Sequence, residues 1–158
     1  MLDFIDDDHQ EFYKEICNEM SKIKKLDRYE KALIYTLGIS EITREHFNEI
    51  FNFEDGINVD AILCGWQTGT SLKVTRMAFN LYNYCMYDSE EDIENGQISE
   101  YYNPSDIFAC SYAPYFFEAI KIRFPEYMRI IPMEKDVNIF MYARYNGDDD
   151  SEEEERLW

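Results

Sequence analysis

The chain is poor in the residues that build metal centres, catalytic pairs and flexible linkers. Its 158 residues include two histidines, four cysteines, six glycines and four prolines. The cysteines form no CxxC pair and show no zinc-ligand spacing, so we expect neither a metal nor a cofactor. We expect buried, reduced thiols typical of a reducing compartment. The cysteines are Cys17, Cys64, Cys85 and Cys110.

Catalytic signatures are also absent. His9 and His46 both lie in the first third of the chain, and no serine or cysteine sits in a recognisable nucleophile elbow. No carboxylate pair stands apart from the general acidity of the chain. We therefore expect a protein that is not an enzyme. For His46, which lies beside an apolar helical face, we expect a half-buried, hydrogen-bonded ring rather than a base or a ligand.

The chain has no long hydrophobic run. A membrane-spanning helix needs about 20 apolar residues, and no segment approaches that length. The first ten residues, MLDFIDDDHQ, lack the basic and apolar regions of a signal peptide. We expect a cytoplasmic protein with no membrane contact.

Positive charge is scarce, and the acidic excess is unevenly distributed. The chain carries 15 Lys and Arg against 33 Asp and Glu, a formal net charge of -18. Three acidic blocks, at residues 1–13, 88–106 and 147–158, account for the whole excess. Because proteins bind nucleic acids mainly by neutralising phosphates, direct binding to DNA or RNA is disfavoured. A host protein with a basic surface is the favoured partner.

The hydrophobic content indicates a folded domain despite this charge. Hydrophobic residues make up 46% of the chain and aromatic residues 16%, far from the composition of a disordered protein. A chain of this length normally forms one domain with a substantial core. We predict a single all-α domain over residues 1–146, followed by a disordered acidic tail over residues 147–158.

Apolar periodicity and capping signals predict a bundle around a central buried helix at about residues 70–86. Earlier helices are expected over 7–24, over 28–37 with Gly38 as the terminator, and over 41–52, before a turn at 54–56. Residues 88–102 are predicted to form an exposed acidic loop. Pro114 should separate helical pieces at 107–111 and 114–124, with Glu118 facing solvent and Arg123 requiring a partner inside an apolar arc. Residues 137–145 fit a helix, which we prefer, or a minor strand near the C-terminus.

The central helix carries a narrow polar seam within a mostly apolar circumference. The seam consists of Lys73, Arg76, Asn80 and Asn83. Small residues, hydroxyls and cations at the start of this helix resemble an anion site, although the nucleotide-binding P-loop spacing is absent. The candidate anion-binding residues are Thr70, Ser71, Lys73 and Arg76. Alternatively, Thr70 or Ser71 only caps the helix and the two cations meet internal carboxylates.

The central acidic block is the other candidate site. It contains seven carboxylates and no cation, a charge density that approaches that of a nucleic-acid backbone. Such a surface could occupy the basic groove of a nucleic-acid-binding protein; alternatively, it is a solvated loop that keeps the chain soluble. The candidate partner-binding residues are Asp88, Glu90, Glu91, Asp92, Glu94, Glu100 and Asp106.

Three runs of sequence carry a resemblance to a known family. They are YTLGISEITREHFNEIFNFEDG, GWQTGTSLKVTRMAFNLYN and SDIFACSYAPYFFEAIKIRFPEY. Together they resemble a family of unknown function found among small acidic proteins of phages and mobile elements of Gram-positive bacteria. The resemblance implies no catalytic residue. It implies a mobile-element setting, and hence an inhibitor of a host nucleic-acid-binding effector complex such as a CRISPR effector. A small-anion or phosphate-binding regulatory domain is the alternative.

Overall fold

A computed structural model describes residues 2–128 of the chain. Over this range the all-α prediction is confirmed, since a two-stranded sheet is the sole departure from helices and turns. The predictions for residues 137–145 and 147–158 lie outside the described residues. None of the helices in residues 2–128 is long and apolar enough to cross a membrane.

The described elements follow one another with short connections. The α-helices are α1 (Asp7–Ser21), α2 (Arg28–Gly38), α3 (Glu41–Glu45), α4 (Phe47–Ile50), α5 (Gly69–Asn83), α6 (Glu90–Asn95), α7 (Pro104–Ile107) and α8 (Ala113–Arg123). Between α4 and α5 lie the strands β1 (Phe51–Asn52) and β2 (Gly56–Ile57). Single 3-10 turns occupy Val59–Leu63, Glu100–Tyr102 and Pro125–Tyr127.

Short polar side chains fix where the helices begin. The carboxylate of Asp6 accepts a hydrogen bond from the His9 amide at the start of α1. Asp27 and Glu30 form a reciprocal capping box on α2, which satisfies amides that would otherwise lack partners. Asn103 caps α7, where the following proline occupies the first turn. The starts of α1 and α2 fall where the sequence predicts them, whereas α7 begins earlier than predicted, at Pro104.

Helices α2 and α5 together form the centre of the domain. Every residue from 32 to 38 in α2 is buried, as are most apolar residues of α5. One buried cluster joins this pair to α1, α4, the hairpin and the first 3-10 turn, and a second joins the pair to α7 and α8. The prediction of a buried central helix is therefore confirmed. The helix ends earlier than predicted, at Asn83, and it shares the centre with α2.

The close contact between His9 and Gly38 ties α1 to α2. Gly38 is the last residue of α2, and a Cβ placed there would lie 2.6 Å from the His9 Cδ2 atom. The buried ring of His9 bonds through Nε2 to the carbonyl of Tyr35 at 2.8 Å, and Nδ1 accepts from the Ile5 amide at 3.4 Å. Gly38 thus serves close packing; the residue after it is right-handed, so no left-handed cap is formed.

Other predicted helix boundaries are also wrong, among them the end of α1, which lies at Ser21 rather than at residue 24. The predicted helix over 41–52 breaks at His46, so that α3 and α4 are followed by an antiparallel hairpin pairing Phe51 with Ile57. The turn at 54–56 is confirmed as the hairpin turn, with Gly56 at φ 86°. The predicted break at Pro114 is confirmed, but the short piece before it is Pro104–Ile107 rather than residues 107–111.

Two charged residues of α8 are buried. Glu118 was expected to face solvent, but it is buried and forms an ion pair with Lys121. Arg123 has the partners that its position demands: Nε donates to the Leu81 carbonyl at 2.9 Å and Nη2 donates to the Tyr84 hydroxyl at 2.8 Å. Its guanidinium carbon also lies 3.5 Å from the ring centroid of Tyr29, a cation–π contact. Arg123 thereby links α8 to the C-terminal end of α5.

Candidate functional site

The central acidic block is an ordered structure rather than the loop that its sequence predicts. Residues 90–95 form α6, and Ser89 accepts a hydrogen bond from the Asp92 amide at 3.0 Å. The Asp60 carboxylate, from the preceding 3-10 turn, accepts from the Glu90 amide at 2.9 Å. Gly96 ends the helix in a left-handed conformation, at φ 65°. The acidic first turn also complements the helix dipole, which favours negative charge at this end.

The seven predicted partner-binding carboxylates separate into two groups. Asp88 and Asp106 are partly buried and have internal partners: an arginine for Asp88, and the Asn103 side-chain amide for Asp106. The remaining carboxylates lie on the surface around α6, and Asp92 is the least exposed of them. We call this surface the acidic face; it consists of Glu90, Glu91, Asp92, Glu94 and Glu100.

Large hydrophobic side chains are exposed beside the acidic face. Ile93 belongs to α6 itself, and Ile98 and Tyr101 follow it; all three are exposed, Ile98 by 57%. Interfaces commonly combine charged groups with exposed apolar and aromatic side chains. Sequence analysis missed these residues because it assigned the whole segment to a solvated loop. The signal that could have found them is an isoleucine and a tyrosine recurring within a segment otherwise made of polar residues.

Arg76 and Asp88 hold the acidic segment against α5. The Arg76 Nε atom lies 2.9 Å from Oδ1 of Asp88, and Nη2 lies 2.9 Å from Oδ2. Ser99 donates a further hydrogen bond to Oδ2 at 2.7 Å, and the Tyr101 ring lies 4.9 Å from the guanidinium carbon. Because both side chains are largely shielded from water, this two-point geometry is stronger than an exposed ion pair.

The other side chains of the polar seam form hydrogen bonds with the segment that follows α5. Lys73 donates to the Asp106 carbonyl, and Asn80 donates to the Cys85 carbonyl at 3.2 Å. Asn83 accepts from the Cys85 amide at 3.2 Å. All four seam side chains therefore have internal partners, and the seam anchors residues 85–106 along one side of α5. Only one of the partners is a carboxylate; the others are backbone groups.

The first turn of α5 uses its hydroxyls for capping. Thr68, rather than Thr70 or Ser71, is the N-cap, and it accepts from the Ser71 amide at 3.1 Å. Ser71 is buried; its oxygen accepts from the Thr68 amide at 2.8 Å and donates to Gln67 at 2.6 Å. Thr70 is half-buried in the same turn. An anion at the predicted site would have to displace Asp88 from Arg76.

The ring of His46 is half-buried and hydrogen-bonded, as predicted. It lies parallel to the Trp66 ring with centroids 4.2 Å apart, and bonds through Nδ1 to Glu49 at 2.7 Å. Trp66 donates to the same carboxylate at 3.0 Å. The two hydrogen bonds, chiefly that from His46, lower the pKa of Glu49. Within residues 2–128 no group of three His, Cys, Asp or Glu side chains is arranged to hold a metal ion.

Comparison with known proteins gives a family and no activity. A family model described as "Family of unknown function (DUF6075)" matches residues 1–136. The chain belongs to this family. The match extends beyond the three runs quoted above, and it includes all eight described α-helices and the whole acidic face. No curated protein and no solved structure matches the chain significantly.

Proposed function

We propose that this chain is a protein-binding inhibitor that uses the acidic face to occupy a basic, nucleic-acid-binding groove of a host protein. The observation that carries the proposal is the short helix α6, which presents consecutive carboxylates and lies beside exposed apolar side chains, in a segment, residues 88–106, whose sequence contains no Lys or Arg. Carboxylates in this arrangement complement a surface of Lys and Arg side chains. The exposed Ile98 and Tyr101 supply the apolar contacts that charge alone does not provide.

The internal pairing of Asp88 supports this assignment. It removes one carboxylate from the surface, but it fixes the segment that carries the others against α5. The backbone of the acidic face is therefore held against α5, so that its carboxylates project from fixed positions. A solvated loop needed only for solubility would have no requirement for such an anchor.

The biological setting is part of the proposal and rests on the sequence resemblance. We place the chain among small acidic proteins of phages and mobile elements, whose targets include host defence complexes directed at nucleic acids. A CRISPR effector is one complex of this class, with a basic channel that normally holds RNA and DNA. Such an inhibitor acts in the host cytoplasm, by binding rather than by catalysis, and does not itself bind nucleic acid.

The test begins with capture of partners from a host lysate and continues with the purified partner. Binding should weaken steeply as salt is raised, and the chain should compete with the partner's nucleic acid. Replacing Glu90, Glu91, Asp92 and Glu94 with Lys should abolish binding. The matched control replaces four exposed acids elsewhere, Glu11, Glu15, Glu19 and Glu45, with Lys. Salt-independent binding, or equal loss in both variants, would reject the acidic face as the contact surface.

A neutral version separates charge from folding. Lysines in the first turn of α6 oppose the helix dipole, so the reversed variant could lose the helix as well as the charge. Replacing Glu91 and Glu94 with Gln removes charge at two positions whose side chains have no partner among the described residues. We expect an unchanged melting temperature and a binding affinity about tenfold weaker, a loss typical of charge pairs in an interface. Unchanged affinity would contradict the proposal.

A further inference from the structure

A cleft of about 800 Å³ lies directly beside the acidic face. It opens between the start of α2, the hairpin, the end of α5 and the start of α6. Four tyrosines line it: Tyr29 of α2, Tyr82 near the end of α5, and Tyr84 and Tyr87 in the segment that follows α5. Glu90 and Ile93 of α6 line the same cleft, so the cleft and the acidic face form one continuous surface.

The charged groups of the cleft are mostly carboxylates. Lys24 is the cation in the lining, and it is neutralised by its ion pair with Glu30. Asp27 is engaged in capping α2. Asp55 and Glu90 lie on exposed parts of the wall, and the carboxylate of Glu90 has no ion-pair or hydrogen-bond partner among the described residues. The cleft therefore combines aromatic walls with uncompensated negative charge.

Tyr84 has an unusual backbone for a tyrosine. It ends α5 in the left-handed conformation, at φ 63°, and within residues 2–128 it is the one non-glycine residue with a positive φ. This position normally favours glycine, because a side chain is strained there. Tyr84 is nevertheless 63% exposed at the cleft, while its hydroxyl accepts from the buried Arg123. The Arg123 guanidinium carbon lies 5.4 Å from the centroid of the Tyr84 ring, and Arg123 is itself shielded from solvent.

We infer that this cleft receives an arginine side chain of the protein partner. The inference rests on the proposed function, in which the acidic face meets a basic groove. A guanidinium is planar and stacks on aromatic rings, and carboxylates accept its hydrogen bonds. Tyr84 and its neighbouring tyrosines supply the rings, and Glu90 and Asp55 supply the carboxylates. Arginine anchored among aromatic residues is a frequent source of binding energy at protein interfaces.

A peptide titration tests the chemistry directly. The probe is a short acetylated, amidated peptide with two arginines, compared with the same peptide carrying neutral citrulline in both places. Two-dimensional NMR of the labelled full chain should show shifts at Tyr82, Tyr84 and Tyr87 with the arginine peptide and none with the citrulline peptide. Shifts confined to the exposed side of α6, or equal shifts with both peptides, would overturn the inference. A lysine peptide should bind more weakly than the arginine peptide, since ammonium does not stack.

Variants of Tyr84 separate binding from folding. Tyr84→Gly removes the ring and relieves the left-handed backbone, but it also removes the hydroxyl that accepts from Arg123. Its melting temperature is therefore compared with that of Tyr84→Phe, which loses the same hydroxyl and keeps the ring. Affinity for the arginine peptide should fall about tenfold, in line with loss of a cation–π contact at a partly desolvated site. Tyr84→Phe keeps the ring and should retain binding. The control Tyr127→Ala removes another exposed ring outside the cleft and should have no effect.

The outcomes distinguish this inference from the proposed function. If Tyr84→Gly binds the arginine peptide normally while the Glu91 and Glu94 variant loses the partner, the cleft assignment is wrong and the acidic face stands. If Tyr84→Gly loses the peptide while reversal of the acidic face leaves the partner bound, the cleft assignment stands and the proposed function is wrong.

Discussion

The guanidinium of Arg76 forms a two-point ion pair with the carboxylate of Asp88 across 12 positions of the chain. Sequence patterns assign these residues to different sites, Arg76 to an anion site and Asp88 to a partner-binding surface. In the folded chain they are one structural unit that joins α5 to the acidic segment. The pair removes one carboxylate from the predicted partner-binding set, and it engages one of the two cations of the predicted anion site.

A double-mutant cycle on Arg76→Gln and Asp88→Asn should show strong coupling. Each single change leaves the other group partly buried without its opposite charge, which costs more than loss of an exposed pair. We expect a coupling free energy of about 1–3 kcal/mol from urea unfolding. The matched control is Arg28 and Glu126, whose side chains are each 44% exposed; their coupling should be below about 1 kcal/mol. Equal coupling in the two cycles would contradict an anchoring role for Arg76.

Phosphate should have little effect on the stability of the native chain. Because Asp88 occupies Arg76, an added anion must compete with an internal carboxylate, and we expect millimolar phosphate to raise the melting temperature by less than about 1 °C at constant ionic strength. In the variant Asp88→Asn the Arg76 guanidinium is released from its carboxylate. The same phosphate concentration should therefore raise the melting temperature of this variant by more than it raises that of the native chain. A larger shift in the native chain, abolished by Arg76→Gln, would instead restore the phosphate-binding hypothesis.

Gly38→Ala should destabilise the domain. The added Cβ would lie 2.6 Å from the buried His9 ring and 3.0 Å from the half-buried Phe12 ring. The strain should exceed the helix-propensity gain of alanine over glycine, about 1 kcal/mol, leaving a net loss of about 1–3 kcal/mol in the free energy of unfolding. Gly65→Ala is the control, because nothing lies within 4 Å of its added Cβ.

His9 should make the domain less stable as pH falls. Burial lowers the pKa of His9 from 6.5 to about 4, although its bond to the Tyr35 carbonyl and the charge of Asp6 act in the opposite direction. Between these two values the unfolded chain binds the proton more readily than the folded chain, so the stabilisation present above pH 6.5 is lost on acidification towards pH 4. At about 1.4 kcal/mol for each unit of pKa, the loss is up to about 3 kcal/mol.

The variant His9→Gln isolates this contribution from the carboxylates that titrate in the same range. Its side-chain amide can donate to Tyr35, as the imidazole does, but it does not take up a proton. Urea unfolding of both proteins across this range should show the native chain losing more stability than the variant. Parallel pH profiles would mean that His9 does not carry the effect.

Helix starts and the buried character of α5 were predictable because they depend on neighbouring residues. Asp27 and Glu30 form a capping box within four positions, and Asn103 meets its amide within three. The requirement of Arg123 for a partner was also predictable, since its position in an apolar arc is a property of the helix alone. The identity of the partners was not predictable, because Leu81 and Tyr84 lie some forty positions earlier in the chain.

The acidic segment shows where local patterns fail. Its charge predicts a solvated loop, but α6 is held by Ser89, by the distant Asp60 and by the anchoring of Asp88 on Arg76. Glu118 was misplaced for a similar reason: its helical position faces away from the apolar arc, but other parts of the chain cover that side. Local sequence predicts Gly38 as a helix terminator, whereas in the structure it provides room for His9, which lies 29 positions away in the chain. In all three cases the structure depends on contacts between residues that are far apart in the sequence.

The anchored acidic segment has a consequence for the rate and strength of association. A flexible acidic loop would lose conformational entropy on binding, and that loss would subtract from its affinity for any basic groove. The seam on α5 has already ordered residues 85–106 during folding. A partner therefore meets a surface that changes little on docking. Besides removal of surface charge, breaking the hydrogen bonds of the seam is thus a second way to weaken the complex.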